Sequence, residues 1–124
     1  MTWTWIDTAV VLAIHDQQLA EHGGLAGVRD MPLLESALAR PEQLAAYGDP
    51  DVFDLAAIYA HGIARNHPFA DGNKRTAYVV CLLFLRLHDI RISATGPERV
   101  ILFERLGKGE IDRDMLAGWL RSHG

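Results

Sequence analysis

Apolar positions recur along this chain at helical spacing, in blocks separated by short polar connections. Ile6, Val10 and Ile14 form an i, i+4 row that predicts a first helix over 7–21, stopped by Gly23-Gly24. Trp3 and Trp5 stand ahead of it, where indole rings pack over a helix start. Asp30 as N-cap and Pro32 in the first turn open a second, short helix with Leu33, Leu34, Ala37 and Leu38 turned inward, ended or bent at Pro41. Between Glu42 and Asp49 the period is weak, with no alternation of the kind that marks a hairpin. Asp49-Pro50 starts a third helix, where Val52, Leu55, Ala56, Tyr59 and Ile63 repeat at helical spacing as far as Asn66. The run Ala77 to Leu85 is apolar without a break and reads as a helix buried on every side. Asp89 to Ala94 is a short connection, with Arg91-Ile92-Ser93 placed as a vestigial strand. Thr95 and Glu98 make a capping box around Pro97, with Ile101, Leu102 and Leu106 inward and Gly107 at the end. Asp112 caps a last helix, stapled by Ile111 and Leu116, that turns Met115, Leu116, Trp119 and Leu120 to the core. These blocks predict a compact all-α fold, with residues 1–124 as a single domain.

A chain of 124 residues buries roughly two-thirds of its unfolded surface around one core. An apolar share of 49% argues against disorder. The formal charge of -4, with no cluster of Lys and Arg, argues against nucleic acid as the main partner, because backbone phosphates need a basic face. Cys81, the single cysteine, sits within the apolar run and excludes an internal disulfide, so a cytoplasmic setting is expected. The same run is too short to span a bilayer. The opening MTWTWIDT has neither the basic nor the apolar region of a signal peptide.

Candidate chemistry concentrates in HPFADGNKRT, from His67 to Thr76, immediately before the apolar run. A polar turn feeding a helix N-terminus meets unpaired backbone N–H groups and the positive end of the helix dipole, which together attract phosphate. Gly72 allows close approach of backbone to ligand, while Lys74 and Arg75 add positive charge; Asn73 caps the helix or shapes the anion site. Asp71 offers a hard oxygen of the kind Mg²⁺ prefers, and His67 a base suited to neutral pH. Phe69 suits a packing anchor for the loop.

HPFADGNKR resembles the signature of the Fic/Doc superfamily, and Lys74 is similar to its Doc branch. Fic proteins commonly carry a second glycine at the place of Lys74 and a further arginine at the place of Tyr78. Ile14-His15-Asp16, Gly23-Gly24-Leu25-Ala26-Gly27 and Leu33-Leu34-Glu35 extend the resemblance over nearly the whole chain. It implies a compact helical Fic/Doc domain and the toxin of a toxin–antitoxin module. It further implies His67 as general base, Asp71 as Mg²⁺ ligand, and Gly72, Asn73, Lys74 and Arg75 as the phosphate site for ATP. The reaction implied is transfer of the γ-phosphoryl group to a threonine or serine of a translation factor, elongation factor Tu, with arrest of translation. The partner implied is a Phd-type antitoxin with a C-terminal segment that folds into a groove on a toxin otherwise monomeric.

Two other readings compete. An adenylyltransferase is disfavoured by Lys74 and by Tyr78 in place of arginine; a catalytically silent protein that binds its antitoxin or a ribosomal partner is disfavoured by the filled motif. His61 and His67 lack zinc spacing, and His15, His22, His88 and His123 read as surface or boundary positions. His15-Asp16 belongs to the resemblance, with ligand contact and loop support both open. The glycine-rich stretch Gly23 to Arg29 follows a helix rather than a strand and carries little weight as a phosphate site.

Overall fold

A computed structural model describes residues 2–124. Six helices follow one another: α1 (Thr8–His22), α2 (Met31–Tyr47), α3 (Val52–Asn66), α4 (Asn73–Leu87), α5 (Gly96–Gly107) and α6 (Arg113–His123). Among the described residues no strand forms, and the one isolated bridge pairs Val28 with Phe69. Residues 91–93 lie outside any regular element, tied by the Ser93 N–H to the carbonyl of His123 at 2.8 Å rather than to a neighbouring strand. The all-α expectation therefore holds.

Aspartates set most of the starts. Asp7, Asp30, Asp51 and Asp112 each accept a backbone N–H of the first turn through the side chain, which satisfies a donor that the helix leaves open. The cap of α3 is Asp51, two residues later than Asp49-Pro50 had suggested, because Asp54 completes a reciprocal capping box with it. Thr95 caps α5, accepting from Glu98 N–H at 3.2 Å; the Glu98 carboxylate returns to the Thr95 hydroxyl, not to its backbone.

Helix α3 is the hub. It packs against α2, α4, α5 and α6, and buries Leu55 through Ala60 and Gly62 through Ala64. Gly62 permits this: a Cβ there would stand 3.0 Å from the Cβ of Ala37 on α2. Helix α4 lies beside it and is fully buried along one stripe, Thr76, Ala77, Val80, Cys81, Phe84 and Leu85, the i, i+3, i+4 pattern of a single helical face. Its other side is only partly covered, and Leu87 is exposed, so the unbroken apolar run does not face the core all round. Burial raises the Cys81 thiol to about 12, which leaves it an inert core residue.

Several inward assignments shift by one or two residues. On α1 the buried row is Val11, His15 and Gln18, with Val10 exposed, because packing against α4 and α2 sets which face turns inward. On α5 Phe103 takes the inward place expected of Ile101, and on α6 Ala117 takes that of Met115; Ile101 and Met115 are exposed. Pro41 does not end α2, which runs on to Tyr47 with Pro41 buried against the core. The weakly patterned stretch after it is thus mostly helix.

Candidate active site

The loop between α3 and α4 is built by its neighbours. Helix α3 ends at His67, whose backbone adopts the left-handed conformation (φ 47°, ψ 56°) that non-glycine residues seldom take. Arg29 holds it there. Its guanidinium donates from Nε to the His67 carbonyl at 3.0 Å and from Nη2 to the same oxygen and to that of Asn66, while the Arg29 and Asp30 N–H groups donate to the Pro68 carbonyl at 2.7 and 3.0 Å. The turn leaves the His67 ring exposed, with no hydrogen-bond partner among the described residues.

Phe69 is the anchor expected of it, buried and stacked flat on His15 with ring centroids 3.8 Å apart. Asn73 bonds it from the other side: its Oδ1 accepts from Phe69 N–H and its Nδ2 donates to the Phe69 carbonyl, both at 3.0 Å. Asn73 is therefore not a helix cap. The cap position is Gly72, left-handed at φ 77° with no side chain to bond, so the first N–H groups of α4 carry no side-chain cap.

Asp71 is half-buried between this turn and the glycine-rich stretch. Oδ1 accepts from Gly72 N–H at 2.8 Å and Oδ2 from Leu25 N–H at 3.3 Å. These two bonds, aided by the charge of Arg75, hold its carboxyl below the usual carboxylate range, so it is ionised at neutral pH. Gly24 makes the approach possible, since a Cβ there would meet Asp71 Oδ2 at 2.7 Å. The carbonyl of Asp71 lies 2.8 Å from His15 Nε2. Arg75 reaches back to the Gly23 carbonyl at 3.2 Å, and Lys74 pairs with Glu104 of α5 at 3.1 Å.

Above these groups opens a cavity of about 470 Å³. Its floor is His67 and residues 70–75; its far wall is Tyr78 of α4 with Arg99, Val100, Phe103 and Glu104 of α5. All six residues expected at the site, His67, Asp71, Gly72, Asn73, Lys74 and Arg75, thus line one cavity. His15 is a correction: it is 2% exposed and supports the loop rather than lying at the surface. The inward period Val11, His15, Gln18 is the signal that places it, one residue out of step with the row Val10 and Ile14. Arg29 and Arg99 carried no sequence signal of their own, because both act through bonds to distant backbone.

A model described as the Fic/DOC family matches residues 5–85, which include α1 to most of α4 and the whole loop. The chain belongs to the Fic/DOC family. Over 112 residues it is 36% identical to Protein kinase doc of Escherichia phage P1, covering 90% of this chain and 88% of that protein. It is also similar to Toxin Doc of Mycolicibacterium smegmatis, 43% identical over 75 residues that make up 58% of this chain and 57% of that one. The Fic/DOC match ends within α4, so α5, with Arg99 and Glu104, lies outside it while forming the far wall of the cavity. No helix among the described residues is long and apolar enough to cross a membrane.

Proposed function

We propose that this Fic/DOC protein is the toxin of a toxin–antitoxin module and transfers the γ-phosphoryl group of ATP to a serine or threonine hydroxyl of a translation factor, elongation factor Tu, so arresting translation. One observation carries the reading: an exposed, unpartnered His67 ring, an ionised Asp71 and the uncapped N-terminus of α4 face one cavity. The likeness to a protein named a kinase and to one named a toxin supports the choice of reaction and role. A Phd-type antitoxin is the proposed partner.

The residues fit this chemistry. His67 accepts the proton of the target hydroxyl as that oxygen attacks the γ-phosphorus; the bond from phosphorus to the β–γ bridging oxygen breaks and ADP leaves. Gly72 lets the α4 N–H groups come close to the phosphates, with Arg75 beside them, and Asn73 holds the turn in shape through Phe69. Lys74 stands between the loop and α5, its charge shared with Glu104, and occupies space that a glycine would leave for phosphate. Asp71 would be the protein's ligand to Mg²⁺. No cluster of three or more metal-binding side chains forms among the described residues, and one carboxylate suits an ion held otherwise by water and nucleotide phosphates. When bound, Mg²⁺ neutralises phosphate charge.

The test is substitution of His67 in a transfer assay. Loss of a positioned base lowers the rate by about 10²–10⁴-fold. His67→Ala should therefore lose transfer while keeping its helical circular dichroism; full activity in that variant removes His67 from the role.

A further inference from the structure

Two arginines line the cavity without a carboxylate ion pair within 4 Å among the described residues: Arg75 at the loop end, whose charge acts on Asp71 from farther off, and Arg99 at the α5 wall. Lys74, between them, is already paired with Glu104. Arg99 is half-buried and held from behind. Its Nη2 donates to the Ile92 carbonyl at 2.6 Å and its Nη1 to the Tyr78 hydroxyl at 3.3 Å, while Nε is buried with no acceptor. Tyr78 is itself fixed edge-on against Phe103, with centroids 5.1 Å apart. A half-buried cation without an anion is unfavourable, and a guanidinium already fixed in place loses little entropy when an anion arrives.

The spacing says which anion. Tyr78 lies five residues beyond Asn73, so its backbone stands about 7.5 Å along α4 from the helix N-terminus, and Arg99, bonded to its hydroxyl, lines the cavity from α5 on the wall across from the loop. A single phosphate group seated on that N-terminus does not reach so far; a chain of linked phosphates does. We infer that Arg99 is a specificity-determining residue that selects condensed phosphates, a nucleoside triphosphate above a monophosphate, by binding the end of the chain remote from the α4 N-terminus. The inference rests on the nucleotide reading of this cavity. Tyr78 is then a positioning residue, acting through Arg99.

Titration calorimetry on the full chain, with Mg²⁺ present, separates the possibilities using ATP, AMP and inorganic tripolyphosphate. Loss of one charge-assisted contact predicts that Arg99→Gln weakens ATP and tripolyphosphate about tenfold and changes AMP less than about twofold. Tyr78→Phe, which keeps the ring against Phe103, shifts the same preference in the same direction by less, and decides the matter if Arg99→Gln does not fold. ATP bound equally by the wild type and both variants overturns the role of Arg99 while keeping the nucleotide reading. Arg99-dependent binding of tripolyphosphate without binding of ATP keeps the role of Arg99 and removes the nucleotide reading.

Discussion

His15 lies flat against Phe69, planes 9° from parallel, and the same ring places Nε2 2.8 Å from the carbonyl of Asp71. One buried side chain of α1 thus fixes both the packing anchor and the acidic residue of a loop 56 positions away. His15→Ala should lose the stack and the hydrogen bond together, about 1–3 kcal/mol of stability. His15→Phe should recover most of the stack while leaving the Asp71 carbonyl without its partner. Urea midpoints check the first part; transfer rates, lowered in both variants, check the second. An unchanged midpoint for His15→Ala would contradict the coupling.

Asn73 makes a separate prediction, because a cap and a loop clamp respond differently to the same change. A cap tolerates aspartate as well as asparagine. A clamp does not: the carboxylate would still accept from Phe69 N–H but would set a second oxygen against the Phe69 carbonyl, where Nδ2 now donates. Asn73→Asp and Asn73→Ala should each lower stability by at least about 1–3 kcal/mol, as expected when buried backbone groups lose their partners. Denaturant unfolding that finds Asn73→Asp equal to the wild type would restore the cap.

How far the fold was legible follows from where each signal resides. Caps are local, so Asp30, Thr95 and Asp112 announced their helices correctly, and the order of elements came with them. Facing is not local. Val10 and Val11 differ by one position in a helix, and only packing against α4 and α2 decides which turns inward. Pro41 shows the same limit, since the lost backbone bond is outweighed by burial that no window of sequence displays. The motif residues were legible because they are contiguous. His15, Arg29 and Arg99 were not, because what they bond lies far off in the chain.

Acid should weaken the fold in a defined window. Burial acts to raise the Asp51 carboxyl, but the Arg121 guanidinium and the Asp54 N–H outweigh it and hold the group low; Asp71 is held low by Gly72 and Leu25 N–H groups. A carboxyl lowered in the folded chain adds stability above its unfolded value, and loses it as pH falls through the folded one. The urea midpoint should therefore fall as pH drops from about 5 to 3. Asp51 and Arg121 are each nearly half exposed, so their part is about 0.2–1 kcal/mol. Asp51→Asn keeps a capping side chain and removes the charge, and should show a shallower fall. An identical acid profile in that variant would exclude the Asp51–Arg121 pair as a source.

The central claim is that this loop moves a phosphoryl group and not a nucleotidyl group. Incubation with purified elongation factor Tu, Mg²⁺ and ATP, followed by intact mass of the target, tests it most directly. The expected result is a gain of one phosphate, absent with His67→Ala. A gain of one AMP would contradict it, and would show that Lys74 leaves the phosphate cradle open to the orientation used in nucleotidyl transfer.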